Sequence, residues 1–289
     1  MRIQSLSIAV PNKKCVNNCA FCVAQMQTED YKNQMDTNLP FFDLYQADYI
    51  KRLEFARDNG CNTVMLTGNS EPQQNKAFLQ MFGTLNNNLK TPFRWIELQT
   101  TGVMLDEPYL RFLRNHVGVS TISLSISSFN DIQNIEYIGA KTALYNNIED
   151  ICKSIKKYDF NLRLSINLTD AFNDYSSKEI FRKAKSLGAD QVTFRLLYSS
   201  KNNTPQDKWI EQHRADDKII KEIEKYVLEN GIEMEKLEFG AIKYSVDEIG
   251  TVLDMDCMSK EVKDATKFLI LRENCKLYSR WDDKGSLIF

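Results

Sequence analysis

Three cysteines stand close together near the N-terminus, Cys15-Val-Asn-Asn-Cys19-Ala-Phe-Cys22. Thiolates are soft ligands, suited to iron–sulfur clusters and to zinc. A four-iron cluster ordinarily takes four thiolates. One tight loop that offers three leaves an iron open to a ligand from outside the protein. The competing reading is a zinc site completed by a distant residue. Cys61, Cys152, Cys257 and Cys275 are the thiols available for that position, and His116 and His213 are the only histidines, each more naturally capping or lining a helix. Cys61 begins an apolar run and Cys152 falls in the stripe Ile148, Ile151, Ile155, so both are expected in the core. Cys257 and Cys275 are less easily placed and read as buried thiols.

A second segment, Leu66-Thr67-Gly68-Asn69-Ser70-Glu71-Pro72, follows a short apolar run. A glycine there permits close backbone approach, and Glu71 can anchor the loop. The same residues also suit an ordinary strand-to-helix turn, with Asn69 or Ser70 as N-cap and Pro72 in the first helical turn. Later apolar runs turn polar toward their C-terminal ends: Glu97-Leu-Gln99-Thr-Thr101-Gly102, Ser123-Leu-Ser125-Ile-Ser127, Ser165-Ile-Asn167 and Phe194-Arg195. Strand alternation puts Ser123, Ser125 and Ser127 on one face. Arg195 is a solvated strand-end charge, half of an ion pair or a ligand-binding group.

The cysteine triplet, with Phe21 just before its last thiol, resembles the cluster loop of the radical S-adenosylmethionine (SAM) superfamily. The Gly68–Pro72 segment resembles that family's glycine-rich GGEP loop, with Asn69 and Ser70 replacing a small pair. The stretch from Gln99 to Gly102 is similar to its QTNG. The resemblance implies a [4Fe-4S] cluster on Cys15, Cys19 and Cys22, its open iron chelated by the amino and carboxylate groups of SAM. It places the backbone near Phe21 beside the adenine. Gly68, Asn69, Ser70 and Glu71 would form the loop that holds the amino group, and Ser125 and Asn167 would hold the ribose and carboxylate. Lys141 would reach the carboxylate, and Arg195 either that group or substrate.

The chemistry so implied is reductive cleavage of SAM to a 5′-deoxyadenosyl radical that abstracts hydrogen from a substrate. The electron would come from a donor such as flavodoxin or ferredoxin. A small-molecule or nucleotide-like substrate is favoured over a peptide or protein, because the sequence shows neither an auxiliary cysteine array nor a recognisable peptide-binding domain. A non-enzymatic zinc or iron–sulfur protein is the third reading.

The elements that must position these residues follow a regular alternation. Strand-length runs rich in β-branched and aromatic residues cover Ile3–Val10, Thr63–Thr67, Trp95–Gln99, Thr121–Ser127, Leu162–Leu168 and Val192–Tyr198. Helical patterns fill the gaps between the later runs. The alternation predicts parallel βαβ units in a partial (β/α)6, TIM-like barrel, whose active sites lie at the C-terminal strand ends. A doubly wound sheet is the alternative. Lys208–Asn230 reads as one long charged helix, apolar at Ile219, Ile220, Ile223 and Val227. The expected core spans residues 1–235. Residues 236–289 are read as a C-terminal extension packing on the barrel, with a hairpin at Phe268–Leu271 and Lys276–Tyr278. The stretch after Tyr198 is the candidate cover of the site.

Of the 289 residues 43% are hydrophobic, and the net charge is −2. That balance suits a globular α/β chain and argues against general nucleic-acid binding. No run of about 18 apolar residues is present, so no membrane span is expected. The N-terminus lacks an apolar signal region, and a cysteine-rich loop suits a reducing compartment. The protein is therefore expected in the cytoplasm.

Overall fold

The computed structural model describes residues 2–26, 39–237, 239–253, 261–262, 264–281 and 283–289. The six apolar runs form strands β1 (Arg2–Ala9), β2 (Thr63–Thr67), β3 (Trp95–Thr100), β4 (Thr121–Ile126), β5 (Asn161–Asn167) and β6 (Gln191–Arg195). They lie side by side in chain order, each parallel to the next. Because side chains alternate, Ile122, Leu124 and Ile126 of β4 and Leu162, Leu164 and Ile166 of β5 enter the main core. Ser123, Ser125, Ser165, Asn167 and Arg195 share the opposite face. The register sets Ser125 beside Ser165 and Asn167 beside Arg195.

Helices Gln46–Asp58, Lys76–Asn87, Glu107–Phe112, Ile148–Lys157 and Ser177–Ser186 cover the sheet. A further helix, Asp131–Ile138, was not apparent in the sequence pattern; the Asn130 side chain caps its start and Gly139 ends it in the left-handed conformation. The expected long charged helix is two helices, Pro205–His213 and Asp217–Asn230. The break has a tertiary cause. Arg214 is extended and bridges Thr169 beyond β5, and the Ala215 N–H donates to the Leu168 carbonyl. Ile219, Ile223 and Val227 of the second helix are buried as its pattern required.

The C-terminal part extends the sheet at both edges. β7 (Ile232–Lys236), β8 (Ile242–Val246) and β9 (Ile249–Leu253) form an antiparallel meander whose last strand runs parallel to β6. Beyond the short β10 (Glu261–Val262), β11 (Ala265–Leu271) runs parallel to β1, and β12 (Leu277–Tyr278) turns back on it in the expected hairpin. The order is β10-β11-β1-β2-β3-β4-β5-β6-β9-β8-β7. The partial barrel of β1 to β6 thus gains one parallel strand on each side and stays open, with β10 and β7 at the edges. The expected boundary at residue 235 falls within β7. Among the described residues no helix is long and apolar enough to cross a membrane. Cys257 lies outside the described residues.

Candidate functional site

The cysteine loop leaves the C-terminal end of β1 and is held by side chains that follow β2. Gln74 grips its backbone from both directions, its Oε1 accepting from the Val16 N–H at 3.0 Å and its Nε2 donating to the Lys14 carbonyl at 2.9 Å. Asn17 Nδ2 donates to Glu71 Oε1 at 3.1 Å and to Thr101 Oγ1 at 2.9 Å. Glu71 is buried and is the hub of this frame. It also accepts from Gln73 Nε2 at 2.8 Å, Thr100 Oγ1 at 2.6 Å, Thr101 Oγ1 at 2.8 Å and the Thr101 N–H at 3.2 Å. Neutral donors on three segments thus replace the water that a buried carboxylate loses.

From the other side, the Asn18 N–H donates to the Gly139 carbonyl at 3.3 Å and the Ala20 N–H to the Tyr137 carbonyl at 3.0 Å. Gly139 has φ +57°, and a Cβ there would lie 2.4 Å from the Asn18 carbonyl oxygen. The loop therefore rests directly on a backbone that has no room for a side chain.

Cys15, Cys19 and Cys22 are all half-buried. As bare thiols, Cys15 and Cys19 are pushed up by burial, and in Cys19 the nearby Cys22 and Glu71 charges add to it. Their thiolate forms need a positive partner, which a bound metal centre supplies. Three thiols on one braced loop are a donor set that an iron–sulfur cluster can take. The other described cysteines lie elsewhere. Cys61, Cys152 and Cys275 are buried, their thiols pushed by burial to about 11, 12 and 12, which makes them inert core groups.

Gly68 turns the chain out of β2 with φ +142°, and a Cβ there would stand 3.1 Å from the Val10 nitrogen. The glycine is thus required by the junction of β1 and β2. Asn69 Nδ2 donates to Glu273 Oε1 at 3.2 Å, a buried residue just after β11, so the extension reaches this loop. Neither Asn69 nor Ser70 acts as the N-cap considered from the sequence. Pro72 opens a short 3₁₀ turn after Glu71, and Asn75 caps the helix that follows.

Ser125, Asn167 and Arg195 do come together, on adjacent strands and one face. Asn167 Nδ2 donates to Ser127 Oγ at 3.2 Å, and Arg195 Nε to Ser165 Oγ at 3.4 Å. Deeper on this face Arg163 pairs with Glu97 and binds Gln191 Oε1 through Nε and Nη2. Lys141 is exposed, two residues beyond the Gly139 that braces the loop.

Several residues of the site gave no signal in the sequence. Asn17, Gln73 and Gln74 act only through the contacts above, whereas Thr100 and Thr101 stand in the Gln99–Gly102 stretch that the sequence did single out. Helix Pro205–His213 also lies at the site. Its Trp209 ring sits 5.6 Å from Phe21, and Gln206 Nε2 donates to Gln25 Oε1 at 2.7 Å.

An open, largely parallel βα sheet with a thiol loop after its first strand, braced by the loop after its second, defines a class of partial barrels built to hold a metal centre at the strand ends. The family model described as the radical SAM superfamily matches residues 10–184, over half of the chain, and the chain belongs to that superfamily. Members of that superfamily use a [4Fe-4S] cluster and SAM. No curated protein matches the sequence. Among solved structures, coproporphyrinogen III oxidase (HemN) from Escherichia coli, a radical SAM enzyme, has a TM-score of 0.55 at 12% identity, over 81% of this chain and 55% of that one. Native anSMEcpe with bound AdoMet has a TM-score of 0.53 at 18% identity, over 78% of this chain and 61% of that one. At such identities the likeness is one of fold. The chain covers less than two thirds of either structure.

Proposed function

We propose that this chain cleaves SAM reductively and directs the resulting radical at a polar small molecule or nucleotide-like compound. The observation that carries the reading is the Glu71 hub, which joins the cysteine loop, the glycine loop and the end of β3 into one frame. When bound, the cluster and SAM supply one-electron cleavage of a carbon–sulfur bond and a 5′-deoxyadenosyl radical. Cys15, Cys19 and Cys22 hold the cluster and leave one position for SAM. The loop Gly68, Asn69, Ser70, Glu71 holds the SAM amino group, and Phe21 lies by the adenine. Ser125 and Asn167 take the ribose and carboxylate, with Arg195 beside them and Lys141 at the rim. A small one-electron carrier such as flavodoxin or ferredoxin serves as donor. The hydroxyl, amide and guanidinium groups that line one face of β3 to β6 favour a polar substrate over an apolar one.

A peptide substrate is the second reading. β7 is exposed at all five positions and pairs only with β8 among the described residues, so its outer edge can accept an added strand.

The test is anaerobic incubation of the reconstituted protein with dithionite and SAM, followed by chromatography for 5′-deoxyadenosine. The wild type should form it, and faster with substrate, because an ordered site excludes water. A Cys15→Ala, Cys19→Ala, Cys22→Ala triple variant should form none. Equal yields from the two proteins overturn the reading.

A further inference from the structure

We infer that Trp209, clasped from behind by His213, Asp170 and Tyr137, is a positioning residue that fixes Phe21 for the adenosyl half of SAM. The inference rests on the reading of the cysteine loop given above and adds to it a wall from a distant part of the chain.

Phe21 sits between two residues of the loop that are tied down or carry a thiol, so where its ring lies is coupled to where the thiols lie. That ring meets Trp209 with centroids 5.6 Å apart. Trp209 meets Tyr137 edge-on at 5.0 Å and an interplanar angle of 79°, and His213 stacks on it at 4.4 Å and 22°. Trp209 and His213 are four residues apart on one helix, the spacing that sets two side chains one above the other.

Asp170, just beyond β5, uses both carboxylate oxygens in this assembly. Its Oδ1 accepts from the Tyr137 hydroxyl at 2.8 Å, and its Oδ2 lies 3.0 Å from His213 Nδ1. An ionised carboxylate only accepts, so Nδ1 is the nitrogen that carries the hydrogen. Burial, with help from the Asp170 carboxylate, pushes the Tyr137 hydroxyl up to about 12. It therefore stays a donor at ordinary pH, and it accepts in turn from Gln133 Nε2 at 3.0 Å.

Tyr137 works twice. Its ring supports Trp209, while its backbone carbonyl accepts from the Ala20 N–H, one residue before Phe21. The helix that carries Trp209 is fixed at both ends. Asp207 ties its start to Ser199, Ser200 and Thr204, and Arg214 bridges Thr169 at its finish. Trp209 is thus held against Phe21 by elements that start from the C-terminal ends of β4, β5 and β6. Such an arrangement limits the ring positions open to Phe21, and preorganisation of that kind appears in binding.

The experiment compares reconstituted wild type, Trp209→Ala, Trp209→Phe and His213→Ala. For each protein the iron content and the SAM affinity by calorimetry are measured. Release of 5′-deoxyadenosine at varied SAM then separates KM from the maximal rate. Trp209→Ala should keep its iron and weaken SAM about 3- to 10-fold in both Kd and KM, with the rate at saturating SAM little changed, from the usual worth of an aromatic contact. Trp209→Phe should recover most of the affinity. His213→Ala, whose ring is partly exposed and leaves no large cavity, should weaken SAM about 2-fold, as expected for an indirect contact; it tests the clasp even if Trp209→Ala does not fold. Wild-type SAM affinity in an iron-loaded Trp209→Ala, or in His213→Ala where that variant is the one that folds, overturns the inference alone. Failure of the wild type itself to bind iron or SAM overturns the underlying reading and the inference with it.

Discussion

Asp207 and Glu71 are buried carboxylates that meet the same physical problem, and both solve it with neutral donors. Glu71 uses amides, hydroxyls and a backbone N–H from the cysteine loop, its own turn and the end of β3. Asp207 gathers the Ser199, Ser200 and Thr204 hydroxyls and the Ser200 and Thr204 N–H groups. Burial opposes ionisation of Asp207, yet these hydrogen bonds hold its carboxyl well below the usual carboxylate range. A carboxyl depressed in the folded state contributes stability above its unfolded value of about 3.9, and that contribution is lost as pH falls toward the folded value. Asp207→Asn should therefore be less stable than wild type at neutral pH, with the gap closing steadily as pH drops below about 4. Urea unfolding of both proteins across the acid range checks this. A gap that stays constant with pH would show that the charge of Asp207 does not hold the loop.

At the level of elements, the cysteine loop is built by docking a segment with little regular structure onto the end of helix Asp131–Ile138. Gly139 is a point of close approach, and Gly139→Ala brings two penalties. The left-handed backbone disfavours a side chain by about 1 kcal/mol, and the new Cβ would meet the Asn18 carbonyl oxygen at 2.4 Å. The loop must shift, and with it Cys19. Reconstituted Gly139→Ala should hold less iron than wild type and lose it faster to a chelator, while far-ultraviolet circular dichroism remains unchanged. Full, equally durable iron loading would show that the loop tolerates the displacement. This contact was invisible in the sequence, where Gly139 follows a helix that the apolar pattern does not mark. The six core strands were legible because runs such as Ile122 to Ile126 alternate with period two and are bounded by helical patterns. The thiol loop was legible because chemistry restricts its spacing. The polar frame was not, since Gln73, Gln74 and Asn17 become meaningful only through partners far along the chain. Likewise, the break at Arg214 depends on a bridge to Thr169, and helical periodicity runs through it without a mark.

For the molecule as a whole, the pairing of β11 with β1 decides how the C-terminal residues should be regarded. Six residue pairs join the two strands, from Arg2 with Ala265 to Ile8 with Leu271, whereas three join β9 to β6. Leu269 and Leu271 belong to the main core, and Phe268 and Ile270 form a second cluster with Tyr278, against which Trp281 packs. Four apolar side chains of one strand are thus withdrawn from water. At roughly 1.5–3 kcal/mol for each, their burial is comparable with the whole net stability of a typical domain, about 5–15 kcal/mol. The same strand brings Glu273 to Asn69 of the glycine loop, so its loss reaches the site as well as the edge. Removing residues 261–289 should leave β1 as a long unpaired edge beside an uncovered core, which favours aggregation. The shortened chain should be insoluble, or lack a cooperative thermal transition, and should take up no stable cluster. Glu273→Ala in the full chain separates the two roles: it should unfold close to the wild-type temperature and bind SAM more weakly, because Asn69 loses the acceptor that orients it. The measurements are a melting curve and a SAM titration on each protein. A soluble, cooperatively folded truncation with wild-type iron and SAM binding would make these residues an appendage rather than part of the barrel.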